Sequence, residues 1–261
     1  MAPPTAAEVA DRLVALKSCV VYALGAPPRD VVAAMRARAK AEERAQMDEK
    51  ADEARDAFWT PIYDTPVFEA LTPRERELSE ATLITMTEEQ QIEQSWAVEG
   101  MVVLAWALGF VDDLPAWDTQ TDPSFLDEVP NPVALARVRA AAKLRPSDEI
   151  EAAAATSQLW HWRSRTRELI EGGFALPDEL KKPGIGSLDD VVRLTAAHAF
   201  AEGTIEEAID GDFPARGKAY RALDDDEWHE VRSIAIERHR ALCWLLGLAP
   251  ANNWDETPTE T

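Results

Sequence analysis

The chain has 261 residues, of which 46% are hydrophobic and 29% are charged, and its 48 acidic residues outnumber its 27 Lys and Arg residues. This length and composition exclude a largely disordered chain and allow a sizeable buried core in one large domain or two small ones. The formal net charge of -21 makes nucleic acid an unfavourable partner, because acidic surfaces repel phosphate groups.

The N-terminal segment and the cysteines predict a cytoplasmic protein. Acidic residues and Lys17 interrupt the apolar start of the chain, whereas a signal peptide has a basic start and a continuous apolar run. Cys19 and Cys243 are too few for a disulfide framework and lie in apolar helical contexts, so we expect free thiols in a reducing compartment. The longest apolar stretch, residues 95–111, is short for a membrane span and contains Glu99, so we expect it to be buried in protein and not in a membrane.

Apolar residues recur at spacings of three and four along the chain, which predicts an all-α fold. The first helix begins at a capping box formed by Thr5 and Glu8 and ends at Gly25. Residues 30–57 are rich in charge and poor in large apolar side chains, so they predict a solvated, peripheral second helix or a coiled-coil arm. Further helices are predicted to begin at or just after Thr72, Thr87, Asn131, Ser147, Ser187 and Asp224.

These elements predict a single multi-helix domain of about seven or eight helices. Residues 1–70 hold the N-terminal helices, and residues 71–261 form the helical core. The helices around residues 95–110 and 224–247 lie at the predicted centre. Between them, residues 112–132 form a proline-containing segment that we call the acidic loop.

Glu99 is the single charge in residues 95–110, and it is the sharpest chemical signal in the sequence. At helical spacing it lies between Trp96 and Trp106, and the other helix faces are also apolar, so its carboxylate is expected to be buried. An unpaired buried carboxylate is strongly unfavourable, which predicts a partner. The predicted partner is Arg238, on an apolar face of the last helix, with His239 supporting the pair.

A functional interpretation of the same region is also open. Glu99, Glu237, His239 and Asp255 would then line a cleft where a carboxylate beside an imidazole performs acid–base chemistry. The protein would be a small-molecule enzyme or sensor. Tryptophan side chains would form the walls of that cleft, namely Trp96, Trp106, Trp244 and Trp254.

Five segments resemble, in order and character, a bacterial family named domain of unknown function 4272. The resemblance extends from about residue 71 to the C-terminus and implies no particular reaction. Its segments are LTPRERELSE, SWAVEGMVVLAWALG, KLRPSDEI, ERHRALCWL and NWDETPTET. The candidate site residues that it implies are Trp96, Glu99, Arg145, Glu237, Arg238, His239, Trp244, Trp254 and Asp255.

The chain departs from the family pattern at several positions, and these departures favour a member without catalytic activity. Cys243 replaces an asparagine of the closing motif, and Glu260 with Thr261 replaces an aspartate-threonine pair. One helix has apolar residues where the family has charged ones, at Ala152, Ala155 and Leu159. The sequence still leaves open whether the protein is an enzyme.

Neither a metal nor a cofactor is predicted. The four histidines and two cysteines form no zinc motif, and the acidic residues do not follow the spacing of a calcium-binding loop. Glycine-rich phosphate loops and a nucleophile elbow are absent from the sequence.

Residues 77–136 contain twelve Asp and Glu and neither Lys nor Arg. These acids either aid solubility and face the basic residues between positions 137 and 167, or form a docking face for a basic protein partner. We favour the docking face, which is typical of an inhibitor, immunity or adaptor protein. The small-molecule enzyme or sensor is the alternative.

Overall fold

The structure is a computed structural model, and it describes residues 2–259 of the chain. The predicted all-α fold is confirmed, because the one sheet in these residues is a two-stranded antiparallel hairpin of β1 (Pro214–Ala215) and β2 (Lys218–Ala219). The α-helices are α1 (Ala6–Leu24), α2 (Arg29–Arg38), α3 (Ala41–Trp59), α4 (Pro66–Glu69), α5 (Pro73–Glu80), α6 (Glu88–Ala107), α7 (Leu135–Ala141), α8 (Ser147–Glu171), α9 (Leu188–Ala201) and α10 (Asp225–Leu245).

The described residues form ten α-helices, more than the predicted seven or eight. The predicted second helix is two helices, because Ala39 has an extended backbone with ψ 143° that ends α2. Lys40 then donates its backbone N–H to the carboxylate of Glu43 and begins α3. The segment is peripheral and solvated as predicted, since its buried residues are Val32, Ala51 and Trp59 alone. The tenth helix is the one-turn α4.

Capping side chains of the N-cap residue begin five of the ten described helices, namely α1, α5, α6, α9 and α10. The predicted capping box of Thr5 and Glu8 is present, and so are boxes that begin α5 at Thr72 and α6 at Thr87. In each box the threonine hydroxyl accepts a backbone N–H that would otherwise have no partner in the helix. Ser147 was expected to cap α8, but it is instead the first helical residue after Pro146 and its hydroxyl caps nothing.

The helix α6 lies at the centre of the fold. It packs against α1 and against α10, and α8 packs on α10. The largest apolar cluster joins these helices, with Leu13 of α1, Met101 of α6 and Leu242 of α10 all fully buried. Within the described part of the chain, none of the helices is both long and apolar enough to cross a membrane.

The segment after α10 returns to the first helix. Gly247 ends α10 with a positive φ of 73°, and the chain then turns so that Trp254 is buried. The guanidinium of Arg12 lies over the indole of Trp254 with 4.8 Å between the guanidinium carbon and the ring centroid, and Trp244 meets Trp254 edge to face with 5.5 Å between ring centroids. Both ends of the described chain therefore pack together beside α1.

The close packing at Gly247 predicts a large cost for Gly247→Ala. A Cβ there would lie 2.8 Å from the backbone nitrogen of Pro3, whereas a Cβ at Gly109, which has the same φ of 73°, would meet nothing within 4 Å. We expect Gly109→Ala to lower the free energy of unfolding by about 1–2 kcal/mol, the cost of a left-handed alanine. Gly247→Ala should cost roughly 1–3 kcal/mol more, because the N-terminal segment must move.

Urea unfolding of the two variants measures this difference. Equal losses of stability would contradict the close packing of the N-terminal segment against the end of α10.

Candidate functional site

A buried ion pair joins the two central helices, as the sequence predicted. Glu99 on α6 and Arg238 on α10 are both fully buried. The Nε and Nη2 atoms of Arg238 donate to Oε2 of Glu99 at 2.9 and 2.8 Å. Thr121 completes the carboxylate shell, because its backbone N–H donates to Oε1 at 2.7 Å and its hydroxyl donates to Oε2 at 2.9 Å.

The remaining N–H groups of Arg238 bind backbone carbonyls of the acidic loop. Nη1 donates to the carbonyls of Pro115 and Ala116, each at 2.9 Å, and Nη2 donates to the carbonyl of Thr119 at 2.8 Å. All five N–H groups of the guanidinium therefore have acceptors. Burial lowers the pKa of Arg238 and Glu99 opposes that change, but a guanidinium remains charged at any physiological pH.

Two further cations hold the acidic loop at its ends. Arg145 donates to the carbonyl of Asp112 at 2.8 Å and to that of Val111 at 3.1 Å, while its guanidinium lies over the ring of Trp106. Lys17 on α1 donates to the carbonyl of Val129 at 2.6 Å. The loop is thus held against the protein through its backbone.

The carboxylates of the acidic loop are left on the outside. Within the described chain none of them forms an ion pair, and Asp118 accepts the backbone N–H of Arg216 at 2.6 Å. The exposed acidic residues of the loop are Asp112, Asp113, Asp122, Asp127 and Glu128. Three cations therefore lie behind an acidic surface without neutralising its carboxylates.

The basic residues between positions 137 and 167 pair elsewhere. Arg139 pairs with Asp11 of α1, and Arg163 forms a buried ion pair with Asp212, with Nε to Oδ1 at 2.6 Å. In residues 2–259, every acid that pairs with this basic segment lies outside residues 77–136, namely Asp11, Glu149, Glu168, Glu171, Asp212 and Asp225.

The other predicted site residues do not join the Glu99–Arg238 pair. Glu237, Trp254 and Asp255 line a small cavity of about 40 Å³ beside α6, where Arg240 pairs with Glu237 at 2.9 Å. Burial raises the pKa of Glu237, and Arg240 opposes this. Trp96 is half-buried on α6. The structure therefore places Glu237 and Asp255 together at this cavity, whereas Glu99 pairs with Arg238 and does not line it.

His239 lies in a different buried group from the one the sequence suggested. Its Nδ1 is 3.2 Å from the hydroxyl of Ser157, and its Nε2 is 3.5 Å from the Sγ of Cys243. Its ring stacks on His161 of α8 with 5.0 Å between ring centroids. His239 therefore joins α10 to α8, whereas Glu99 and Arg238 join α10 to α6.

Several buried polar residues that join the elements of the fold were not predicted from the sequence. Arg12 and Glu75 form a second buried pair, with Arg12 Nη1 to Glu75 Oε2 at 2.7 Å. The signal was of the same kind as for Glu99, since Arg12 and Lys17 are charges among the apolar residues of α1. Thr121 gave no signal, because it acts from a loop. In the part of the chain that the structure describes, no three His, Cys, Asp or Glu side chains are placed to share a metal ion.

Removing one partner of the ion pair should be severely destabilising. Glu99→Ala leaves the buried guanidinium without its carboxylate, so we expect a loss of about 3–5 kcal/mol in the free energy of unfolding. The double variant Glu99→Leu, Arg238→Met should recover only part of that loss, because it removes both buried charges but leaves the loop carbonyls without donors.

Urea unfolding compares the two proteins, and hydrogen exchange of the Thr119 amide, which donates to the carbonyl of Ala116 within the loop, reports whether the loop is released. A fully stable Glu99→Ala protein would refute the structural role of the pair. A double variant no more stable than the single one would show that the stranded Arg238 charge is not the main cost.

The stacked histidines predict a loss of stability in mild acid. Burial, then the neighbouring His239, Arg165 and Arg232, lower the pKa of His161 from 6.5 to about 4. Between these values the unfolded chain binds more protons than the folded protein at this position. The free energy of unfolding should therefore fall by up to roughly 3 kcal/mol as the pH drops from about 6.5 to about 4.

The measurement is urea unfolding between pH 7 and pH 4 for the wild type, for His161→Phe and for the exposed-site control His198→Gln. His161→Phe should make the pH dependence shallower, and the control should follow the wild type. Parallel curves for all three proteins would contradict the prediction.

A comparison with protein families identifies the family of the chain. The model of the family described as domain of unknown function (DUF4272) matches residues 1–174. No curated protein and no solved structure matches the chain significantly. The match begins at residue 1 and not near residue 71, and it ends before α9, so the segments around Arg238 and Trp254 lie beyond it. Since 174 of the 261 residues match, the chain belongs to the DUF4272 family.

Proposed function

We propose that the protein is a protein-interaction module whose acidic loop binds a basic protein partner. The observation that carries this proposal is the way the loop is held. Arg238, Arg145 and Lys17 bind its backbone carbonyls from the protein side, and within residues 2–259 its exposed carboxylates form no ion pair. The charges of the loop are therefore available to a partner.

A held loop suits binding for an energetic reason. A flexible loop loses conformational entropy when a partner orders it, and this loss weakens the complex. Here the cations and the Thr121 contacts to Glu99 fix the backbone before any partner arrives. The exposed carboxylates then attract a basic surface at long range, which increases the rate of association and makes it sensitive to salt.

The competing interpretation is that these acids aid solubility and face the basic residues between positions 137 and 167 of the same molecule. The ion pairs argue against the second part, because that basic segment pairs with acids outside residues 77–136. A docking role in the manner of an inhibitor, immunity or adaptor protein accounts better for the uncompensated acidic surface. The buried free thiols of Cys19 and Cys243 are consistent with a cytoplasmic module.

Neutralising the exposed loop acids should weaken partner capture without loss of stability. In the variant Asp112→Asn, Asp113→Asn, Glu128→Gln, each changed side chain is exposed and makes no ion pair in the described structure. We expect wild-type protein to retain a basic partner from the native host at low salt and to lose it at moderate salt. The variant should retain at least tenfold less.

The matched control neutralises three exposed acids of α3, in Glu42→Gln, Glu49→Gln, Glu53→Gln, and changes the net charge equally. It should bind like the wild type. Equal capture by both variants, or a wild type with no salt-sensitive basic partner, would refute the acidic loop as the docking surface.

A further inference from the structure

A mainly apolar cavity of about 550 Å³ opens beside α1, the end of α3 and residues 131–133. Val21, Phe58 and Ile62 contribute apolar walls. Lys17 is the one charged side chain among the described residues that line it. A volume of this size lies in the range of small-molecule sites, which are largely apolar with a few polar groups.

Lys17 lines this cavity and is buried, and within residues 2–259 it forms no ion pair with a carboxylate. The residue is 8% exposed, and the acceptor that the described structure provides for its ammonium is the carbonyl of Val129. An ammonium has three N–H groups, so two remain without a protein acceptor in residues 2–259. Burial lowers the pKa of Lys17, and Asp127 opposes this from a distance without forming an ion pair.

The buried arginines of the described chain differ from Lys17 in having carboxylate partners. Each of them forms an ion pair with a carboxylate, as expected where desolvation makes an isolated charge costly. The pairs are Arg12 with Glu75, Arg163 with Asp212, Arg167 with Glu171 and Arg238 with Glu99. In a protein with a net charge of -21, a buried cation without a carboxylate is the exception.

We propose that this cavity binds an apolar monocarboxylate, with its carboxylate at Lys17 and its hydrocarbon chain along the apolar walls. The carboxylate supplies the acceptors that the two remaining ammonium N–H groups need, so the bond to Val129 is kept. The side chain of Asn131 at the cavity is a further donor for a carboxylate oxygen. The hydrocarbon chain removes apolar wall surface from water, which favours binding. This site shares Lys17 and Asn131 with the region that holds the acidic loop, but it does not use the exposed loop carboxylates.

Calorimetric titration with decanoate tests the proposal. The wild type should bind decanoate at one saturable site and should bind acetate, which lacks the chain, and decyltrimethylammonium, which has the opposite charge, at least tenfold more weakly. Lys17→Met keeps the aliphatic stem and should weaken decanoate binding at least tenfold. Lys50→Met, an exposed lysine of α3 outside the cavity, should bind like the wild type.

A second variant guards against misfolding of Lys17→Met. Val21→Trp fills the cavity from its rim, where Val21 is 37% exposed, and should abolish decanoate binding with Lys17 intact. In the wild type, nuclear Overhauser contacts should join the decanoate chain to the methyl groups of Ile62. Absence of decanoate binding, absence of these contacts, unchanged binding in either variant, or equally tight binding of decyltrimethylammonium would overturn the proposal.

Discussion

The Glu99–Arg238 ion pair is the interaction on which the centre of this protein depends. Both side chains are fully removed from water, so every hydrogen-bonding group on them needs a protein partner. That requirement specifies the contact between α6 and α10, and it also fixes the course of a loop. A buried pair of this kind contributes little net stability compared with an apolar contact, but it strongly penalises arrangements that leave either charge unpaired.

Buried ion pairs also join elements away from the centre of the fold. Arg12 and Glu75 join α1 to α5, and Arg163 and Asp212 join α8 to the segment before the β-hairpin. Each of these ion pairs bridges elements that are far apart in sequence. The apolar clusters provide the driving force for folding, and the buried pairs select how the helices meet.

Much of the fold was predictable because it follows local rules. The capping boxes at Thr5 and Thr87 and the Glu99–Arg238 pair follow from residue type and helical spacing, and the structure contains all three. The break at Ala39 was not predictable, because alanine strongly favours a helix.

The negative charge of the candidate surface was predictable, but the contacts that hold the acidic loop in place were not. The sequence located the acids of residues 77–136, yet the groups that hold the acidic loop are backbone carbonyls, and every residue has one. Only the folded backbone brings the carbonyl of Val129 to Lys17 or that of Thr119 to Arg238. His239 was misplaced for a related reason. Neighbouring positions on a helix point in different directions, so it faces Ser157 on α8 while Arg238 faces α6.

The contact between Trp254 and Arg12 has a consequence for how the chain is made. During synthesis Arg12 is added about 240 residues before Trp254. Until then α1 lacks the contact that Trp254 makes with Arg12 in the folded protein. Such distant contacts slow folding, because a long segment must be closed before they form. Completion of the fold is therefore a late event in the life of the nascent chain.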